Sequence, residues 1–218
     1  MENESIKVLP FKSISEVTKE SLSYIDARRK HIITPLKTQW NKFNRVCCGG
    51  VEPNMIFTIA GGSGSGKSAF VNTLESDLID LNKRQNIIVL SFSFEMVSSR
   101  NVGRKLSNRL RRTTSELYSA EADLTDSEFQ KVETTAKEIK DYPIYYVDTP
   151  SSVEEIEATI DYFHENMAKG KWLVVILDHA LLVEGDSERG TIVNLQKMFI
   201  RKKKLKNTSI IQITQLNR

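Results

Sequence analysis

A parallel α/β sheet with helices on both faces is the fold class this sequence predicts, and three observations carry the prediction. Five short apolar runs recur along the 218 residues, each separated from the next by a stretch of helical periodicity. The first run, Met55 to Ala60, opens into Gly61-Gly62-Ser63-Gly64-Ser65-Gly66-Lys67-Ser68, a G-x-x-x-x-G-K-S phosphate loop in its strand–loop–helix setting. Glu95, Asp178 and Gln215 stand just past the ends of three further runs, where a parallel sheet lines its ligand crevice.

Taken in order, residues 1–12 are polar and read as loose. Ser13-Ile-Ser-Glu16 is a capping box that opens a helix reaching about Lys30. Its thin apolar stripe (Ile14, Val17, Leu22, Ile25) suits either modest packing on its own domain or docking on a neighbouring subunit. Thr34-Pro35 breaks the chain, Leu36 to Phe43 reads as a short helix, and Cys47 to Asn54 is turn chemistry before the first strand. Phe70, Val71, Leu74 and Leu78 mark the helix after the phosphate loop. Ile87 to Phe92 is the second strand, followed by a cation-dense helical stretch from Ser98 to Tyr118. The Thr125–Glu128 capping box opens a helix that stops before Tyr142-Pro143, and Ile144 to Val147 is the third strand. Ser152 to Ala168 is a helix closed by Gly170, and Trp172 to Leu177 is the fourth strand. Leu181 to Gly190 reads as a polar loop, Thr191 to about Leu205 as a helix, and Ser209 to Thr214 as the fifth strand.

Composition narrows the class. Hydrophobic content of 39% with 27% charged residues is that of an ordinary globular chain with one sizeable core. A net charge of +3 is too small to argue for a polyanionic partner unless the charges are unevenly distributed. No apolar run approaches the roughly 20 residues of a membrane span, and no signal-peptide core is present. Cys47 and Cys48 form neither a disulfide framework nor a metal site, and read as small buried residues in a reducing, cytoplasmic setting.

The phosphate loop predicts nucleoside triphosphate binding. Glycines let the backbone curl so that successive N–H groups face phosphate oxygens, and the helix that follows adds its positive end. Candidate nucleotide contacts run from Gly61 through Gly62, Ser63, Gly64, Ser65, Gly66, Lys67 and Ser68 to Ala69. Lys67 is placed on the β- and γ-phosphates, and the Ser68 hydroxyl on Mg²⁺. Asp178, after a run of apolar residues, is read as a Mg²⁺ carboxylate, Glu95 as the base that activates water, and Gln215 as a link to the γ-phosphate. Each also has a plainer reading as a strand-end polar residue. Asp148 in Asp-Thr-Pro suggests a turn first.

Phe92-Ser-Phe-Glu-Met96, Ile144-Tyr-Tyr-Val-Asp148-Thr-Pro150 and Gln215-Leu-Asn-Arg218 together resemble the DnaB-type replicative helicases, over about Ile33 to Arg218. Leu177-Asp-His179 is similar to the phage and mitochondrial replicative helicases of the same superfamily. The helix from Ser13 to Lys30 resembles the linker helix by which such rings grip the next subunit. The resemblance implies a RecA-type fold with sheet order 3-2-4-5-1, and a tail and linker over residues 1–32 followed by an ATPase domain over 33–218. It implies ATP with Mg²⁺, a homo-oligomeric ring usually of six subunits, and single-stranded DNA in its centre. A primase or helicase loader is a further implied partner. Lys67, Ser68, Glu95, Asp178 and Gln215 take the family roles given above, and His179 beside them becomes a phosphate contact. Channel contacts fall in the loop from Glu184 to Thr191, where Arg189 and the backbone around Gly190 are the candidates. The cation runs at Arg100–Arg112 and Arg201–Lys204 read as solvated or inter-subunit faces.

The sequence departs from the family in two places. Gly62 stands where the bacterial pattern has an arginine, which bears on subunit communication. The family has further strands and an arginine finger beyond the position of Arg218, so a fragment of a longer protein is expected, with the phosphate-loop strand at a sheet edge. Two other readings stay open: a recombinase or mediator ATPase, and a nucleotide-switched assembly module.

Overall fold

The computed structural model describes residues 9–216, so the polar tail at 1–8 and the Asn217-Arg218 end of the last motif lie outside the described residues. The chain divides into two compact units at the Thr34–Pro35 junction. The first unit is built on helix α1 (Ile14–Arg29). Its capping box is formed as the sequence requires: Ser13 accepts from the Glu16 amide, and Glu16 accepts from the Ser13 amide at 2.7 Å. No residue of α1 is buried.

The second unit is a five-stranded, all-parallel sheet. Its strands are β1 (Ile56–Gly61), β2 (Ile87–Ser93), β3 (Ile144–Val147), β4 (Trp172–Asp178) and β5 (Thr208–Gln215). The order is β1-β5-β4-β2-β3, the expected 3-2-4-5-1 read from the other edge, with β1 at an edge. β2 and β4 are buried along their whole length, which is why they read as unbroken apolar runs rather than alternating ones.

Two apolar layers sandwich the sheet. On one face Ile88, Leu90, Phe92, Leu173 and Val175 pack against helices α7 (Val153–Tyr162) and α8 (Glu188–Lys202), which supply Ile156, Ile160, Leu195 and Phe199. On the other, Val89, Val174, Ile211 and Ile213 pack against Val71, Leu74 and Leu78 of α3 (Lys67–Asp80), with Leu36 and Val51 beside them. The remaining helices are α2 (Asn41–Val46), α4 (Ser98–Leu110), α5 (Thr114–Leu117) and α6 (Asp126–Ile139).

Four local expectations are corrected. Leu36 to Phe43 is not one helix. Leu36 and Val51 exchange backbone hydrogen bonds at 2.8 and 2.9 Å as an isolated bridge, and the helix starts at Asn41. Asn82, just beyond α3, and Asp77, near its end, accept from the Lys37 and Gln39 amides, so tertiary partners hold this stretch extended. The predicted helix from Ser98 to Tyr118 breaks at Arg111, which adopts φ 53°, and restarts behind a Thr113–Glu116 capping box that the helical periodicity masks. The segment from Ser152 to Ala168 ends as a π-helical turn, Phe163–Met167. Cys47 is half-buried and Cys48 exposed, because this segment forms a surface turn.

Candidate active site

β1 ends at Gly61, and the loop then passes through two glycines of positive φ, Gly64 at 72° and Gly66 at 86°, before α3 begins at Lys67. A side chain would be strained at both, which explains glycine there. A Cβ built at Gly62, Gly64 or Gly66 would meet nothing within 4 Å, so the loop curls around open space. Gly61 is different: its Cβ would approach the Ser65 hydroxyl at 2.6 Å, so glycine there allows the loop to fold back on the strand end. The Lys67 ammonium donates to the Gly61 and Gly62 carbonyls at 3.0 and 2.8 Å and is thereby held over the loop.

The strand order brings the other candidates to the same place. Gln215 is the register partner of Gly61, and the Leu216 amide donates to the Gly61 carbonyl at 3.1 Å. Ser93 is the register partner of Asp178, and the Phe94 amide donates to the Asp178 carbonyl at 3.0 Å, which seats the Glu95 turn beside the end of β4. A cleft of about 260 Å³ is lined by Ser63, Gly64, Gly66, Lys67, Ser68, Ala69, Glu95, Arg104, His179 and Gln215. Gly61, Gly62, Ser65 and Asp178 do not line it; Gly61 belongs to the strand, and Asp178 is buried beside Ser68.

Asp178 has the electrostatics of a cation ligand. It is 8% exposed, and its Oδ1 has no hydrogen-bond partner among the described residues. Burial pushes its carboxyl above the usual range; a hydrogen bond from Ser68 opposes this, the nearby Glu95 adds to it, and His179 opposes it. A buried carboxylate oxygen beside a hydroxyl is an oxygen-rich donor pair of the kind Mg²⁺ takes. Among the described residues no group of three or more His, Cys, Asp or Glu side chains could hold a metal unaided. The pair therefore suits an ion that shares its coordination with substrate phosphates and water. The residues fit both nucleotide and Mg²⁺.

A buried carboxylate with one unpartnered oxygen among the described residues should weaken the fold when it is charged. Asp178→Asn should raise the melting temperature of the nucleotide-free chain at neutral pH by a few degrees, since the neutral amide removes the desolvation penalty on a buried carboxylate charge. Its folded pKa lies above the unfolded value, so the penalty is full above the folded pKa and fades as pH falls through it. The advantage of Asp178→Asn should therefore shrink on acidification, and turnover with Mg²⁺ should be lost. Thermal melts at several pH values check the first statement and hydrolysis assays the second.

The turn carrying Glu95 is held by a polar network that hydrophobic periodicity could not reveal, because the buried face of α4 is polar. Asn101 donates to the Ser93 hydroxyl at 2.7 Å, Ser93 donates to the Met96 carbonyl at 2.9 Å, and Asn72 of α3 donates to the Asn101 carbonyl at 2.9 Å. Beneath it Lys105, 3% exposed, donates to Glu75 at 2.6 Å. Ser91 and Tyr146 donate to the same carboxylate at 2.6 and 2.9 Å. Burial lowers the Lys105 pKa while Glu75 draws it up. The cation run from Arg100 to Arg112 is thus not uniformly a solvated face: Lys105 is in the core, and Arg104 lines the cleft. Nothing in the sequence singles out Arg104 among the cations of that stretch. Asp148 accepts from the Ser98 amide and hydroxyl, both at 2.7 Å, and so satisfies the start of α4, where Val97 offers no side-chain cap.

His179 lines the cleft, and its Nδ1 accepts from the Leu181 amide at 3.2 Å within its own turn. The Asp178–His179 peptide is cis. The nucleic-acid candidates are placed differently from expectation. Arg189 and Gly190 lie in the first turn of α8, not in a loop, because Ser187 caps the helix. The Gly190 amide donates to the Ser187 hydroxyl at 3.2 Å, so that amide already has a partner.

The fold is of the RecA-like α/β class, with its cleft at the glycine-rich turn between β1 and α3. Residues 35–218 match the family model described as the DnaB-like helicase C terminal domain, and the chain belongs to that family of ATP-hydrolysing domains. No curated protein matches it in sequence. Among solved structures, one described as a DnaB-like replicative helicase and its interactions with primase superposes with a TM-score of 0.76 at 20% identity, over 96% of this chain and 49% of that one. A second solved structure, described as an ATPase domain, superposes with a TM-score of 0.74 at 20% identity, over 96% of this chain and 73% of that one. The likeness in both cases is one of fold. The chain spans about half the length of the first of these structures. Among the described residues no helix is long and apolar enough to cross a membrane.

Proposed function

We propose that this chain is the motor core of a replicative DNA helicase, which hydrolyses ATP with Mg²⁺ to move along single-stranded DNA and separate the duplex. The observation that carries the reading is the convergence of the phosphate loop, Glu95 and Gln215 on one cleft, with buried Asp178 behind Ser68, in a member of the DnaB-like family. Lys67 binds the β- and γ-phosphates, and the amides of the loop and the first turn of α3 orient them. Ser68 and Asp178 would hold Mg²⁺, which when bound would supply charge neutralisation at the phosphates. Glu95 accepts a proton from the attacking water, and the Asn101–Ser93–Met96 hydrogen bonds keep its turn in place. Arg104 and Gln215 face the same cleft and stabilise charge near the γ-phosphate.

Residues 1–32 act as a tail and linker whose exposed Ile14, Leu22 and Ile25 dock on the neighbouring subunit of a homo-oligomeric ring, six-membered as in the resembled helicases. Arg189, exposed at the start of α8, contacts DNA phosphate in the ring centre. A primase or helicase loader completes the assembly, in the cytoplasm of a bacterium or of a phage-infected host.

The test is ATP hydrolysis with and without single-stranded DNA, on the natural full-length protein. Strong stimulation supports the motor. Tight ATP binding with no stimulation would replace it with a nucleotide-switched assembly module, and stimulation without unwinding of a forked duplex would favour a recombinase-type ATPase. Lys67→Ala should weaken binding of a fluorescent ATP analogue about 10- to 100-fold, the worth of charge-assisted hydrogen bonds to phosphate.

A further inference from the structure

We propose that the rim of the sheet opposite the nucleotide cleft is a second nucleic-acid surface, which takes a single strand through its phosphates and bases. In an all-parallel sheet the loops that lead into strands gather at one end, and the loops that leave them gather at the other. β5, β4 and β2 are neighbours, and the loops leading into them are residues 203–207, 168–171 and 81–86. These three loops contain no Asp or Glu. They carry Lys83, Arg84, Lys169, Lys171, Lys203, Lys204 and Lys206, all exposed or half-exposed, and none forms an ion pair among the described residues. With neighbouring strands roughly 4.8 Å apart, the three loops that carry these cations are adjacent along the rim.

The charge is placed by topology and not by composition, since the whole chain is only +3. The Arg201–Lys204 run shows the division. Arg201 and Lys202, still on α8, pair with Glu157 and Asp161 of α7 at 2.7–2.9 Å, whereas Lys204 beyond the helix is exposed and forms no ion pair among the described residues. Loops leaving the same strands carry Glu95, Glu184 and Asp186 instead. Glu52 before β1 and Asp141 before β3 bound the basic loops at their two ends. The length of β4, about 3.3 Å for each residue, separates this surface from the cleft and from the start of α8.

Aromatic side chains beside these loops favour a nucleic acid over an acidic protein. The π-helical turn just before Lys169 stacks Phe163 edge-on to Tyr145 of β3, with centroids 5.3 Å apart, and Tyr162 lies 6.3 Å from Phe163. Tyr162 is 59% exposed and Tyr145 41%. His164 Nε2 lies 3.3 Å from the Lys206 carbonyl, which ties this turn to the loop carrying Lys204 and Lys206. Exposed rings next to loops rich in cations suit bases and phosphates together; an acidic peptide would engage the cations alone.

The experiment is fluorescence anisotropy of a labelled oligothymidylate of about 20 nucleotides with the full chain, across a salt series and without ATP. The triple variant Lys83→Glu/Lys169→Glu/Lys206→Glu should bind at least about tenfold more weakly near 0.1 M salt. Its log affinity against log salt should lose a slope of about 2, from three phosphate contacts at about 0.7 each. Tyr162→Ala should weaken binding about fivefold or more with the slope unchanged. Basal ATP hydrolysis should stay intact in both variants, and the corresponding Lys→Gln triple, with a melting curve matching the parent, guards against misfolding as the cause. Unchanged affinity and slope in the triple variants would overturn the proposal. So would equal competition by polyglutamate with no effect of Tyr162→Ala, which would assign the rim to an acidic protein. Loss of DNA-stimulated hydrolysis in Arg189→Ala with rim binding intact bears on the motor reading alone.

Discussion

Glu95→Gln is expected to retain ATP binding within a few-fold and to lose turnover by about 10²- to 10⁴-fold, the range over which a positioned general base acts. The side chain is exposed at the end of β2 and faces the cleft shared with Lys67 and Ser68. Binding rests on the phosphate loop and α3, which the substitution does not touch. The amide keeps the shape of the carboxylate and its charge-free hydrogen bonding, yet cannot take a proton from water. The Phe94 amide on the Asp178 carbonyl and the Ser93–Met96 bond hold the turn in either variant, so displacement of the backbone does not explain a loss. Steady-state hydrolysis and equilibrium ATP binding, measured on one preparation, check both halves. Hydrolysis near the parent rate would remove Glu95 from the mechanism and turn attention to another acceptor at the cleft.

Lys105→Met is expected to destabilise the ATPase unit by about 3–5 kcal/mol, the usual cost of removing one partner from a buried ion pair. Lys105 and Glu75 are each 3% exposed at their side chains, and Glu75 also accepts from Ser91 and Tyr146. Without the ammonium, a carboxylate is left inside the core with two hydroxyl donors and no countercharge. For a domain of this size the melting temperature should fall by roughly 10 °C. Adding Glu75→Gln should recover most of the loss, because the neutral amide no longer needs a cation and can accept from one hydroxyl through its oxygen while its NH2 donates to the other. A melting temperature that is unchanged in the single variant would show that the pair contributes little; one that stays low in the double variant would show that packing of the lysine stem, and not charge, is what matters. Because the same helix bears Arg104 and Asn101, the single variant should also lower hydrolysis more than ATP binding.

The strands and the phosphate-loop turn are legible in the sequence for a common reason. Fully buried parallel strands must be apolar throughout, and a phosphate loop needs glycine at Gly64 and Gly66, so both leave marks in local sequence. Capping boxes at Ser13, Thr125 and Ser152 are local in the same way. What local patterns miss depends on partners distant in the chain. Leu36, Trp40 and Phe43 have helical spacing, yet Val51, Asp77 and Asn82 hold the first part of that stretch extended. Arg189 and Gly190 read as loop because the residues before them are polar, while the Ser187 cap starts the helix earlier.

By itself the sequence determined the strand–loop–helix turn at Gly61–Ser68, the five strands and the acidic and amide residues at their ends, because each is written in a short run of residues. Only the tertiary structure decided that Lys105 belongs to the core, that Arg104 reaches the cleft, that Asp178 is buried with one oxygen unpartnered among the described residues, and that the loops entering β2, β4 and β5 lie side by side. Those outcomes come from strand order and helix packing, which bring together residues tens of positions apart, and no local pattern encodes such a distance.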